Sequence, residues 1–174
     1  MNQALTYMFA TVVAVAGLQA QSPFRNEVKA AYQTASGNIL KAAEKMPEAD
    51  FNFKPTPDVR TFGQLIAHVA DAQTGLCGIL KGEPKRGDAA SKTSKAELIA
   101  ALKASSDFCE AVYSGVGEAD EGTIVKSPRG ERSKLGLMYF NATHDNEMYG
   151  TIAVYLRLKG IVPPSTAEAV SPSR

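Results

Sequence analysis

The chain has 174 residues, 44% of them hydrophobic and 21% charged, with a net charge of +1 and no tryptophan. That is enough sequence for one globular domain to bury its own core without a metal or a set of disulfides to staple it. The near-zero charge, with no long Lys/Arg block in it, excludes the electrostatic footprint of a nucleic-acid binder or of a protein drawn to anionic membranes.

Residues 1–20 stand apart. "ALTYMFATVVAVAGLQA" is an uncharged apolar run, and the next charged side chain is Arg25. The run is shorter than the ~20 residues a membrane-spanning helix needs, and it ends in small residues. It reads as a secretory signal cleaved near Ala20–Gln21, with a short membrane anchor as the alternative. The mature protein is expected to be exported, periplasmic or extracellular, with no stable membrane association.

Residues 21–164 carry four helical patterns. In the first, Phe24, Val28, Tyr32, Ala35, Ile39, Ala43 and Met46 recur at threes and fours, which predicts a helix over about 23–46 behind Ser22-Pro23. "MPEADFNFKPTPDVR" ends it. A second helix opens at Thr61 and runs to about Lys81, where "KGEP" closes it. The third starts on a capping box, Ser94 with Glu97, and stops at Gly115 and Gly117. "GEADEGTIVKSPRGER" offers only a short extended piece at Thr123–Lys126. The fourth helix covers about Ser133–Lys159, with Gly160 as its C′ residue and Pro163-Pro164 barring continuation. Residues 165–174, rich in Ser, Pro and Ala, read as a loose tail. The fold class is all-α, a four-helix bundle.

The connections bear on helix order. Helices one and two are joined by about fourteen residues and two and three by about thirteen, longer than the 2–8 usual between antiparallel neighbours. A thirteen-residue linker reaches roughly 43 Å when extended, enough to return along a helix of ~30 Å, so helices two and three can run parallel. Cys77 and Cys109 sharpen the point. In a parallel pair they lie level to within roughly 3 Å; in an antiparallel pair they are on the order of 15 Å out of register. Outside the cytosol the two are candidates for one disulfide, and inside it they are small buried residues. Closing a loop of about 32 residues would stabilise the fold by roughly 3–4 kcal/mol.

The chain has two histidines. His68 falls beside the apolar stripe of helix two, and His144 sits mid-way along helix four. If those helices are antiparallel, the histidines lie about 20 Å and 16 Å above the shared end, close enough in depth to face one another. Bundle cores build metal sites from facing helices, but a histidine beside an apolar stripe also serves as a core residue, and two ligands are fewer than the three of a catalytic zinc site. No P-loop, G-x-G-x-x-G or G-x-S-x-G is present, which removes phosphate cradles and nucleophile elbows from the candidates. Arg157 reads as a helix-end cation, with a substrate-carboxylate role as the alternative. Lys126, Arg129, Arg132 and Lys134, with Glu131 among them, read as a solvated loop.

"FNFKPTPDVRTFGQLIAHVADAQ", followed by "HDNEMYGTIAVYLRLKGIVPPS", resembles the DinB-like superfamily of four-helix bundles over essentially the whole mature chain. The resemblance implies an up-down-down-up order with helices two and three parallel. It also implies a divalent metal, often zinc or nickel, held by one histidine on helix two and an H-x-x-x-H pair on helix four. Those positions are His68, His144 and Met148, so the triad is incomplete. A thioether is a soft, weak ligand that suits copper, above all Cu(I), better than zinc or nickel. Glu147 is the alternative oxygen ligand, while Asp145 points about 100° away. Asp71, one turn after His68, is a candidate acceptor behind an imidazole N–H. The other expectation is that Met148 packs in the core and no metal binds tightly.

Two functions compete. One is an exported bundle that binds a small molecule or a metal ion without turnover. The other is a divalent-metal-dependent hydrolase or transferase using His68 and His144. The superfamily's thiol-transferase chemistry fits poorly with export, because its thiol cofactors are cytoplasmic. A homodimer suits either.

Overall fold

Each long helix begins and ends on chemistry visible in the chain. Thr61 Oγ1 accepts from the Gln64 amide while Gln64 reaches back to Thr61 N, and Ser94 with Glu97 repeats the arrangement. Ser133 Oγ accepts from Gly136 N at the start of the fourth. That helix ends with Gly160 at φ 72°, its N–H on Arg157 O and the Ile161 N–H on Leu156 O, so a left-handed glycine lets two orphan carbonyls be satisfied.

The computed structural model describes residues 23–170. The expected signal segment, residues 1–20, lies outside the described residues. In chain order the elements are α1 (Pro23–Lys45), α2 (Phe62–Lys81), α3 (Lys95–Gly115), β1 (Ile124–Ser127), β2 (Gly130–Ser133), α4 (Lys134–Leu158) and α5 (Pro164–Val170), with single 3-10 turns between the first four helices. The chain is mainly helical, as expected, and the helix bounds agree with the predicted ones to within about one residue.

Contacts set the helices against one another. Between α2 and α3 the residue numbers rise together: Gly63 beside Leu98, Gln73 bonded to Ser105, Cys77 joined to Cys109. The same holds for α1 and α4, where Phe24 stacks near Tyr139 and Lys45 reaches Val162 just past α4. Between α2 and α4 they run oppositely, from Phe62 beside Tyr155 to Cys77 beside Asn141. The Cys77–Cys109 disulfide has a Cα–Cα distance of 5.3 Å and is fully buried.

The core is two apolar clusters. One gathers Ile39, Met46, Phe62, Ile66, Leu102 and Leu156; the other gathers Tyr32, Leu80, Tyr113, Leu137 and Met138 around the disulfide. Each fully buried large side chain contributes roughly 1.5–3 kcal/mol. Between the clusters lies a belt of buried polar groups, Ser36, Gln73, Ser105 and Asp145.

Two expectations are corrected. The segment read as a solvated loop is an antiparallel hairpin, Ile124 opposite Ser133 and Ser127 opposite Gly130. Its first strand holds the expected extended piece; its second, "GERS", lacks the β-branched and aromatic residues that announce a strand. Arg129 and Arg132 sit over the Phe140 ring at 5.5 and 4.8 Å, which fixes the hairpin to α4. The tail, expected to be loose from residue 165, begins instead as α5. Pro164 supplies the first turn. Ser165 N–H donates to Tyr149 Oη, and Arg157 donates to Thr166 Oγ1. That contact is also where Arg157 is engaged.

Candidate functional site

α2 and α4 cross with their two histidines opposed. His68 Nε2 and His144 Nε2 are 3.2 Å apart, the rings tilted by 65°. Behind His144, its Nδ1 lies 3.5 Å from Asp145 Oδ1, and neither atom has a hydrogen-bond partner. Asp145 is fully buried, and its other oxygen accepts from Gln73 Nε2 at 2.7 Å. A carboxylate beside Nδ1 favours the tautomer protonated there, which leaves Nε2 as the acceptor facing His68 Nε2–H. The two imidazoles thus meet directly, with one proton between them.

The remaining expected residues go elsewhere. Asp71 accepts from Ala89 N at 2.8 Å and Ala90 N at 3.1 Å, so it ties down the α2–α3 linker and is not the acceptor behind an imidazole. One turn of helix carried it past the histidines to the face that the linker crosses. The residue backing an imidazole is Asp145, which periodicity placed off the metal-facing stripe. Glu147 is exposed on α4. Met148 packs against the first core cluster and borders a hollow with Arg60, Gln64 and Tyr155.

This donor set can be tested against a divalent metal. Two nitrogens 3.2 Å apart have about the spacing of two ligands on one tetrahedral ion with bonds of roughly 2.0–2.1 Å. Among the described residues, however, no three His, Cys, Asp or Glu side chains converge. The groups flanking the pair are a thioether turned to the core and a carboxylate held behind the ring. The residues present do not fit the three-histidine site implied by the resemblance.

What the histidines do line is a cavity of about 590 Å³. α2 supplies Ala72, Leu76 and Ile79, α4 supplies Phe140, the linker Lys85 and Arg86, and the hairpin tip Arg129. The linker is pressed onto α2 at Gly78, where a methyl group would stand 2.8 Å from both Glu83 O and Lys85 N; only glycine allows that approach. Sequence reading missed Lys85 and Arg86, since nothing local says which face a thirteen-residue linker crosses. It saw Arg129 only as part of a charged loop.

A profile of the DinB superfamily matches residues 31–152, more than half of the chain. The chain belongs to the DinB superfamily. Solved relatives share the fold. A DinB-like protein from Bacillus subtilis superposes with a TM-score of 0.64 at 17% identity, covering 78% of this chain and 92% of its own. One from Bacillus cereus ATCC 10987 gives 0.66 at 17% identity, covering 80% and 95%. No curated protein matches the chain.

Electrostatically, this DinB-superfamily site favours neutral imidazole at His68. Burial holds it below the ordinary histidine range, helped by the positive charges of Arg60 and Arg129 and by His144, with Asp71 opposing. Burial likewise raises Asp145 above the usual carboxylate range, against the neighbouring His144 imidazole and the Gln73 hydrogen bond, which favour its charge.

Proposed function

We propose that this DinB-superfamily chain is an exported four-helix bundle in up-down-down-up order that binds a small organic molecule between α2, α4 and the hairpin, without turnover at a metal centre. One observation carries it: a cavity of about 590 Å³, within the range of small-molecule sites, ends on a hydrogen-bonded histidine pair that no third His, Cys, Asp or Glu joins among the described residues. The residue numbers that rise together along α2 and α3, and along α1 and α4, support the helix order. The buried disulfide supports an oxidising compartment.

A second reading, a divalent-metal-dependent hydrolase or transferase using His68 and His144, is favoured by their 3.2 Å spacing. Elemental analysis of untagged protein after titration with zinc, nickel and copper and exhaustive dialysis divides the two. The expected result is far less than one equivalent of any metal. A near-stoichiometric ion, lost in both His68→Ala and His144→Ala, would sink the metal-free reading.

A further inference from the structure

The charges around the cavity are not those of the chain as a whole. In a protein of net charge +1, the cavity is bordered by Lys85, Arg86 and Arg129 against one carboxylate, Asp71. That carboxylate is already occupied by the Ala89 and Ala90 amides. Among the described residues no ion pair joins Lys85, Arg86 or Arg129 to an acid. Lys85 instead lies 4.5 Å from the Phe108 ring and Arg129 5.5 Å from Phe140, so both cations are held in place without being neutralised. The rest of the lining is mainly apolar: Ala72, Leu76, Ile79, Phe140 and two prolines. From His68 to Ile79 the α2 wall rises about 16 Å, at ~1.5 Å per residue.

From this juxtaposition we propose that the ligand is an amphiphilic carboxylate, its head held by Arg86 and Arg129 and its apolar body lying along α2. The inference rests on the cavity-binding function above and names the ligand class. Guanidinium groups recognise carboxylates through paired N–H donors, and Lys85 adds to the local positive potential. Among the described residues no first turn of a helix borders the cavity, so a dianionic phosphate finds no amide cradle in them. A neutral chain of the same length gains the walls but not the charge.

The test uses a matched set of probes, octanoate, octan-1-ol, octylamine and acetate, titrated calorimetrically into the disulfide-bonded protein at low salt. Octanoate is expected to bind at least tenfold more tightly than octanol, with acetate and octylamine weaker still. Binding should shift the imidazole proton resonances of His68 and His144. In the Arg86→Gln/Arg129→Gln double variant, octanoate affinity falls to that of octanol. Both arginines are exposed, so the variant is expected to fold, and circular dichroism checks that it does. Equal octanoate and octanol affinities in the natural protein overturn the carboxylate but leave a small-molecule site. Acetate binding as tightly as octanoate overturns the apolar body, and unchanged affinity in the double variant overturns the assigned residues. If no eight-carbon probe binds, the cavity-binding function fails with it.

Discussion

Met148 stands one turn after His144, packed against the first core cluster. Residues four apart on a helix share a face, so an imidazole at 148 would stand one turn from His144. Met148→His is expected to retain close to one equivalent of zinc or nickel after dialysis, where the natural protein retains little; elemental analysis reads the difference. If the variant retains no more than the natural protein, something other than Met148 keeps metal out. His68 carries a second prediction. Its folded pKa lies below the ordinary value of about 6.5 that it recovers on unfolding. Above that pH both states are neutral and its contribution is intact; as pH falls through 6.5 toward the folded value, the unfolded chain takes up the proton first and stability drops. Urea midpoints at pH 7.5, 6.0 and 5.0 should fall more steeply than in His68→Gln, and equal slopes would refute the assignment. Both histidines were legible because they are the chain's only two. Asp145 was not legible as their support, because helical phase tells where a side chain does not point, not which ring nitrogen it meets.

The α2–α3 pair shows how far local pattern reaches. Capping boxes at Thr61 and Ser94 and the Gly160 stop are written in short motifs, so helix ends could be predicted closely. Levelling Cys77 with Cys109 needed only the rise per residue, and the disulfide agrees. The second strand of the hairpin and α5 were missed for a different reason. Arg132 packing on Phe140 and Tyr149 bonding to Ser165 are contacts between segments, with no periodic trace in either. The disulfide's effect can be measured on the pair itself. Its loop spans 32 residues, so Cys77→Ala/Cys109→Ala should lose roughly 3–4 kcal/mol on the chain-entropy argument. Chemical denaturation of oxidised protein, reduced protein and the variant tests this. Less than about 1 kcal/mol of loss would mean that α2 and α3 are held in register by packing alone.

All four long helices meet at Gln73. From α2 its amide nitrogen donates to Asp145 of α4 at 2.7 Å and lies 3.4 Å from Ser36 of α1, while its oxygen accepts from Ser105 of α3 at 2.7 Å. Apolar clusters on either side supply the burial energy, and they would tolerate small slips of one helix along another. The belt does not, because each slip strands a polar atom without water. It therefore fixes the depth at which His144 faces His68. Gln73→Leu should cost roughly 2–3 kcal/mol, chiefly because it leaves the Asp145 carboxyl buried without a donor. Ser105 keeps a bond to Leu102 O, and Ser36 keeps Ser106. Adding Asp145→Leu to Gln73→Leu removes the stranded group, so the double variant should be more stable than the single one by about 1 kcal/mol or more. His144 would lose the carboxylate beside its Nδ1, and the imidazole resonances of the pair should broaden while the fold persists. A double variant whose cost is the simple sum of two independent losses would show that the belt is a set of separate bonds, and that the histidine register is set by the apolar packing around it.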